Sequence, residues 1–237
     1  MTREQELTAA LTATRERAAR AARAAGRDPA ELTLVVVTKF FPASDVRTLA
    51  GLGVRDVGEN RDQEAGAKAA ELAGLPDLHW HFVGQLQTNK ARSVVRYAHA
   101  VHSVDRPRLA QALGRAAEQA GRDVGCFVQV DLAPGLGLEP DAARAGAAGE
   151  DVLRVADAVA GQAGLRLRGL MAVAPLGVDP ARAFAELVRT AERVRRVHPG
   201  ARELSAGMSG DLEQAVAAGA THLRVGSAIL GSRPGAR

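Results

Sequence analysis

Cysteine, aromatic residues and lysine are all scarce in this 237-residue chain, and each scarcity excludes something. The one cysteine, Cys126, cannot close an internal disulfide, which fits a reducing, cytoplasmic compartment. Aromatics make up 3% of the residues against 46% hydrophobic overall, so the core must be built from Leu, Val and Ala. No apolar run approaches the roughly 20 residues that a membrane helix needs. Met1 to Gly26 is charged and lacks the continuous apolar stretch of a secretory leader. A soluble protein without a membrane partner is expected.

Acidic and basic residues nearly balance, for a formal net charge of +4. The one basic run, Arg15, Arg17, Arg20, Arg23 and Arg27, alternates with alanines and offers neither a stacking platform nor a base-reading motif. No nucleic-acid partner is expected. Of the 31 basic residues only Lys39, Lys68 and Lys90 are lysines. Arginine cannot become a neutral amine nucleophile and lysine can, so each of the three is worth inspecting.

An amphipathic helix over Glu4 to Ala25 opens the chain, ended by Gly26 and the Asp28–Pro29 turn. Eight short apolar runs then alternate with helical segments: Leu32–Thr38, Val54–Val57, His79–Val83, Ala100–Val104, Val124–Asp131, Leu167–Val173, Arg202–Ser205 and His222–Val225. Phe184, Leu187, Val188, Ala191 and Val194 form the clearest helical face. Asp105 and Ser209 stand where helix caps are expected. Strict alternation implies parallel strands with right-handed crossovers, and eight repeats favour a closed (β/α)8 TIM barrel over an open doubly wound sheet. No GxGxxG follows Thr38, which lowers the dinucleotide-binding version of that alternative. One domain is expected over residues 1–237, with residues 1–28 packed on the barrel, Pro134–Gly149 as an extended loop and 233–237 as a short tail.

In such a barrel the chemistry collects where strands end. Lys39 follows Leu34-Val35-Val36-Val37-Thr38 and so sits at the mouth of a buried strand. It is either a lysine snorkelling at a strand end or an amine whose partial desolvation frees it to attack an aldehyde. Ser209 after the seventh strand, and Gly226 with Ser227 after the eighth, occupy the loops that recurrently grip phosphate in this fold. Asp211 in the first turn of the seventh helix opposes an anion there unless it points outward. Arg224 can reach inward from strand eight, and Asn60 can bond a ring substituent or merely stabilise the Gly58-Glu59-Asn60 turn. His79 and His81 share one strand face, but no third ligand makes a metal site, and they read as structural. Cys126 reads as core.

Several blocks together resemble one known family. They include Val37-Thr38-Lys39, Gly58-Glu59-Asn60-Arg61-Asp62-Gln63-Glu64 and Trp80-His81-Phe82-Val83-Gly84-Gln85 continuing to Lys90. Others are Val101-His102-Ser103-Val104-Asp105, Gly169-Leu170-Met171, Leu204 through Asp211 and Arg224-Val225-Gly226. The blocks run in order across nearly the whole chain and are similar to the pyridoxal phosphate (PLP) homeostasis family, whose barrel is like the N-terminal domain of alanine racemase. The resemblance implies PLP held as a Schiff base on Lys39. Its phosphate would lie near Met208, Ser209, Gly226 and Ser227, with Arg224 facing the pyridine nitrogen and Asn60 beside the ring. It further implies a role in vitamin B6 and amino-acid balance, with PLP-dependent apo-enzymes as recipients. Two departures stand out: Ala206 replaces a frequent methionine, and Asp131 to Pro140 lacks a lysine-bearing stretch that many members carry.

An arginine facing the pyridine nitrogen keeps that nitrogen unprotonated and weakens PLP as an electron sink. Racemases compensate with a tyrosine base supplied with a second domain. Here the chain ends just after strand eight and holds only Tyr97, expected on an outer helix. A monomeric carrier without turnover is therefore the expectation, and a small PLP-dependent racemase the alternative.

Overall fold

The opening helix is specified by its cap and its spacing. Thr2 accepts from the Gln5 backbone while the Gln5 side chain accepts from the Thr2 backbone, closing a capping box at the start of α1 (Arg3–Ala24). Leu7, Leu11, Thr14, Ala18 and Ala22 recur at three- and four-residue intervals and are all buried. Three arginines of the basic run are tied back onto the fold. Arg15 donates to the Leu52 and Gly53 carbonyls, Arg17 to the Ser209 carbonyl and Arg27 to the Val216 and Ala220 carbonyls. The basic run is in part a set of ties fastening α1 to the loops beneath it.

The computed structural model describes residues 1–139 and 145–232, so the proposed tail over 233–237 and part of the long loop lie outside the described residues. The barrel strands and helices alternate as β1 (Thr33–Val37), α2 (Ala43–Gly51), β2 (Asp56–Glu59), α3 (Asp62–Glu71), β3 (His79–Phe82), α4 (Ala91–Tyr97), β4 (Ala98–Val104) and α5 (Pro107–Ala120). They continue as β5 (Val124–Gln129), α6 (Asp151–Ala160), β6 (Leu165–Met171), α7 (Pro180–Val197), β7 (Glu203–Ser205), α8 (Leu212–Ala217), β8 (His222–Val225) and α9 (Ser227–Leu230). The eight strands are parallel and close in chain order, β8 pairing with β1 through Val35 opposite Arg224. The barrel is thus of the (β/α)8 kind.

Its core has two unequal parts. The large apolar layer lies between strands and helices, where Phe184, Leu187, Ala191 and Val194 of α7 are buried on one face. Burying each large side chain there contributes roughly 1.5–3 kcal/mol. Inside the barrel the apolar cluster is only Ala100, Phe127 and Met171. Most barrels of this type fill that space with branched apolar side chains. Here His81, His102, Ser205, His222 and Arg224 are buried as well.

Three sequence expectations change. Strand β2 begins at Asp56 and includes Gly58 and Glu59, so those residues end a strand rather than form a turn. Asp105 does not cap α5: the N-cap is Arg106, whose guanidinium Asp105 instead accepts. Ser209 does not cap α8, whose N-cap is Asp211. Asp211 faces inward, and its carboxylate accepts from the Met208 backbone N–H at 2.6 Å.

Candidate functional site

Lys39 emerges, half-buried, directly after β1, where Val37 is paired with Gly58 of β2. The backbone turns sharply there: Phe40 takes a left-handed φ of 72°, a conformation non-glycine residues adopt only when held. A buried ionic cluster does the holding. The Lys68 ammonium from α3 donates to the Thr38 carbonyl at 2.9 Å and to both Glu59 and Glu64 at 2.7 Å. Glu64 also accepts from the Phe40 backbone N–H at 2.7 Å, and the Thr38 hydroxyl donates to Glu59 at 2.6 Å. Backbone groups on both sides of Lys39 are therefore fixed by one lysine and two carboxylates. Burial raises the Glu59 carboxyl above its ordinary range despite Lys68, and its second oxygen has no partner. The Lys39 ammonium and the Arg61 guanidinium both lie near the Phe40 ring, at 5.8 and 5.5 Å from its centre.

Asn60 follows β2. Its Oδ1 is shielded from solvent and unpartnered, a buried acceptor left for something else to satisfy. Gly84, after β3, backs directly onto it: a Cβ at Gly84 would fall 2.2 Å from the Asn60 carbonyl oxygen. Only glycine allows that approach.

The eighth strand ends at Gly226, whose Cβ would sit 3.1 Å from the Val37 carbonyl, so it lies against the end of β1. Immediately beyond, the Ser227 hydroxyl donates to Ser209 Oγ at 3.1 Å and the Ala228 backbone N–H donates to the same oxygen at 3.2 Å. Ser209 therefore serves the start of α9 rather than that of α8, and Arg17 holds its carbonyl at 2.7 Å. Two hydroxyls and a backbone N–H converge there. Met208 stands beside them at the rim, part-exposed, lining an apolar groove of about 680 Å³ with Val173 and Leu176.

Arg224 is buried at the end of β8 without a direct carboxylate partner. It donates to Ser205 Oγ at 2.6 Å and to the Ala172 carbonyl at 2.9 Å. Burial pushes its pKa down to about 10, which leaves it charged at neutral pH.

Against known proteins, the family model described as alanine racemase, N-terminal domain, matches residues 10–234. A pyridoxal phosphate homeostasis protein of Mycobacterium tuberculosis is 47% identical over 249 residues, covering 98% of this chain and 94% of that protein. The chain belongs to the pyridoxal phosphate homeostasis protein family. The solved structure of PipY from Synechococcus elongatus, with PLP bound, superposes with a TM-score of 0.81 at 37% identity, covering 95% of this chain and all of that one. The alanine racemase of Streptomyces coelicolor shares the barrel, with a TM-score of 0.70 at 23% identity, and this chain spans 59% of it.

Within this family fold, the predicted Ser209, Gly226 and Ser227 come together, with Lys39 and Asn60 at the neighbouring ends of β1 and β2. Glu59, Lys68, Ser205 and His102 were not singled out by sequence reasoning, and only the scarcity of lysine pointed toward Lys68. Lys90 lies apart, its ammonium 3.9 Å from Asp62. Of the loop over Asp131 to Pro140, Pro140 lies outside the described residues, and a short 3-10 turn spans Pro134–Leu136. Ala206 is buried, filling a core position.

Proposed function

We propose that this chain binds PLP with Lys39 as covalent anchor and serves intracellular PLP homeostasis and amino-acid balance without catalytic turnover. The observation that carries the reading is the convergence of Ser209, Ser227 and the Ala228 N–H one strand away from Lys39. That convergence suits a phosphate, while the unpartnered Asn60 oxygen and the buried Arg224 charge suit a polar aromatic ring between them. Bound PLP would supply an aldehyde for amine capture and, in enzymes, an electron sink. The chain's own residues do the rest. Lys68 with Glu59 and Glu64 fixes the backbone that presents the Lys39 amine. Ser209, Gly226 and Ser227 grip the phosphate, with Met208 at its edge. Arg224 donates toward the ring nitrogen, and because it stays charged it denies that nitrogen a proton.

The lack of turnover rests on that arginine and on Tyr97. The tyrosine's phenol donates to Asp62 at 3.3 Å in the outer layer, and burial raises its pKa, so it is not placed as a base in the mouth. A monomeric cytoplasmic carrier that hands PLP to apo-enzymes is the full form of the proposal. Purified protein mixed with PLP should absorb as a lysine-bound aldehyde, and borohydride should trap the adduct on the Lys39 peptide. Lys39→Ala should lose both signals. Racemase turnover at ordinary enzyme rates, abolished by Lys39→Ala, would overturn the carrier reading.

A further inference from the structure

Five of the six histidines gather in the barrel or at its N-terminal end, far from the phosphate-gripping serines; the sixth, His198, pairs with Asp157 elsewhere. Through two of the five runs a continuous line of short contacts. Arg224 Nη1 lies 2.6 Å from Ser205 Oγ, and Ser205 Oγ lies 2.8 Å from His102 Nδ1. His102 Nε2 is 2.8 Å from His81 Nδ1, and His81 Nε2 is 2.9 Å from Asp56 Oδ1. Ser205 and both rings are sealed from solvent, while Asp56 is partly exposed at the N-terminal end of β2.

Counting protons fixes every bond in this line. A guanidinium has no acceptor, so Arg224 must donate to Ser205. At the other end the Asp56 carboxylate can only accept, so a neutral His81 carries its proton on Nε2, its Nδ1 accepts from His102 Nε2, and the Ser205 hydroxyl proton goes to His102 Nδ1. Both rings are neutral in this scheme, in keeping with the downward push that burial gives their pKa values. The bonds all point one way, from a buried cation to a carboxylate.

We propose that Ser205, His102 and His81 are positioning residues that hold the Arg224 guanidinium fixed in rotation toward the cofactor site, through a one-way chain of donors ending on Asp56. The inference rests on the PLP-binding reading for what Arg224 faces, but the chain itself is independent of it.

Two other roles for the line fail on magnitude or geometry. As a proton wire it would have to discharge Arg224 onto Asp56. Arg224 holds its proton to about pH 10, whereas Asp56 loses its below the ordinary carboxyl range, because hydrogen bonds from His81 and His79 help outweigh its burial. That transfer is disfavoured by more than about a millionfold. As a metal site it lacks ligands, since no group of three or more His, Cys, Asp or Glu is arranged around one point among the described residues. The other charged or titratable groups facing the line are His79, His99, His222, Arg168 with its partner Glu203, and Asp211 behind Arg224. Among the described residues the line's terminal acceptor is Asp56 rather than any of these, so the orientation of every bond in it is set by that carboxylate and by Arg224. With two of its donors spent on Ser205 and on the Ala172 carbonyl, the guanidinium cannot rotate without leaving a buried partner unmet.

The test uses the full chain and two readouts. In protein labelled with nitrogen-15 histidine and free of PLP, His81 and His102 should both appear as neutral rings protonated on Nε2. Either ring protonated on Nδ1, or doubly protonated at neutral pH, overturns the chain. In the second readout the ring nitrogen of PLP carries the label. His102→Leu should weaken PLP uptake about tenfold and move the pyridine nitrogen resonance. His102→Gln, which can accept from Ser205 and donate to His81, should restore both. Ser205→Ala, the smaller change, should reproduce the leucine variant if that variant folds poorly. A pyridine resonance unmoved in His102→Leu and Ser205→Ala, with PLP still bound, overturns the positioning role and leaves the carrier reading standing. Failure of the unsubstituted protein to take up PLP would instead sink the carrier reading, and the histidine spectrum would still decide the chain.

Discussion

Acid should unfold this barrel at a pH where most cytoplasmic barrels are intact. His81, His102 and His222 are buried and held neutral, with burial as the leading cause in each and His222 brought down to about 3. In the unfolded chain the same rings titrate near pH 6.5. Below that pH the unfolded state therefore binds protons that the folded state refuses, and stability falls as pH drops. His222 contributes a slope of about 1.4 kcal/mol per pH unit below 6.5, and His81 and His102 steepen it in the same direction. By pH 4.5 His222 alone has cost about 2.7 kcal/mol, a large share of the roughly 5–15 kcal/mol stability of a typical domain. Asp56 does not offset this, because its carboxylate contribution holds above the unfolded carboxyl value near 3.9 and is lost as pH falls from there through its own depressed value. Urea unfolding followed by the fluorescence of the buried Trp80 at pH 7.5, 6.5, 5.5 and 5.0 measures the slope. His102→Gln removes one titrating ring and should make the slope shallower. A stability flat to within about 1 kcal/mol between pH 7.5 and 5.0 would refute the reasoning.

Other perturbations are simpler. Lys68→Met leaves Glu59 and Glu64 facing each other without their cation, and should cost about 3–5 kcal/mol by urea denaturation while reducing PLP uptake through the freed Lys39 backbone. Gly84→Ala drives a methyl into the Asn60 carbonyl and should cost about 1–3 kcal/mol, with weaker PLP binding in an absorbance titration. The Cys126 thiol is fully buried and raised to about 12, so at pH 8 it should react with thiol reagents only at the rate of unfolding. A fast stoichiometric reaction in native buffer would contradict that burial.

The architecture was legible because parallel strands covered on both faces read as unbroken apolar runs. Strand β6 was placed two residues too late, and β2 two residues too early. Its last residues are Gly58, which has no side chain, and Glu59, whose burial is made possible by Lys68, so hydropathy hides both. The placing of Lys39, Asn60, Arg224, Gly226, Ser227 and Ser209 at or just beyond strand ends was legible, although the partner of Ser209 was not. The Ser209 bond reaches α9, a four-residue helix too short to leave a periodic signature. The histidine line was invisible for another reason. Its four bonds join residues 19, 103, 21 and 25 positions apart on five different strands, a relation that exists only once the barrel has closed.

That interior makes a single physical argument about what this barrel is for. Filling it with valine and leucine would be the stable solution, since a buried polar line is tolerable only if every donor and acceptor is met. Here each ring is met, and Phe127 stacks on His102 at 4.3 Å, so the apolar remainder packs against the line rather than replacing it. The arrangement keeps a buried guanidinium charged without any carboxylate touching it. A carboxylate in direct contact would have drawn the guanidinium's donors to itself and away from the mouth of the barrel. Asp211 behind Arg224 supplies the nearest negative charge, and the line ending on Asp56 fixes the bond directions while leaving Arg224 donors free for a ligand. Acid sensitivity follows from that choice, so the pH slope and the ligand-facing arginine should rise or fall together across substitutions at His81, His102 and Ser205.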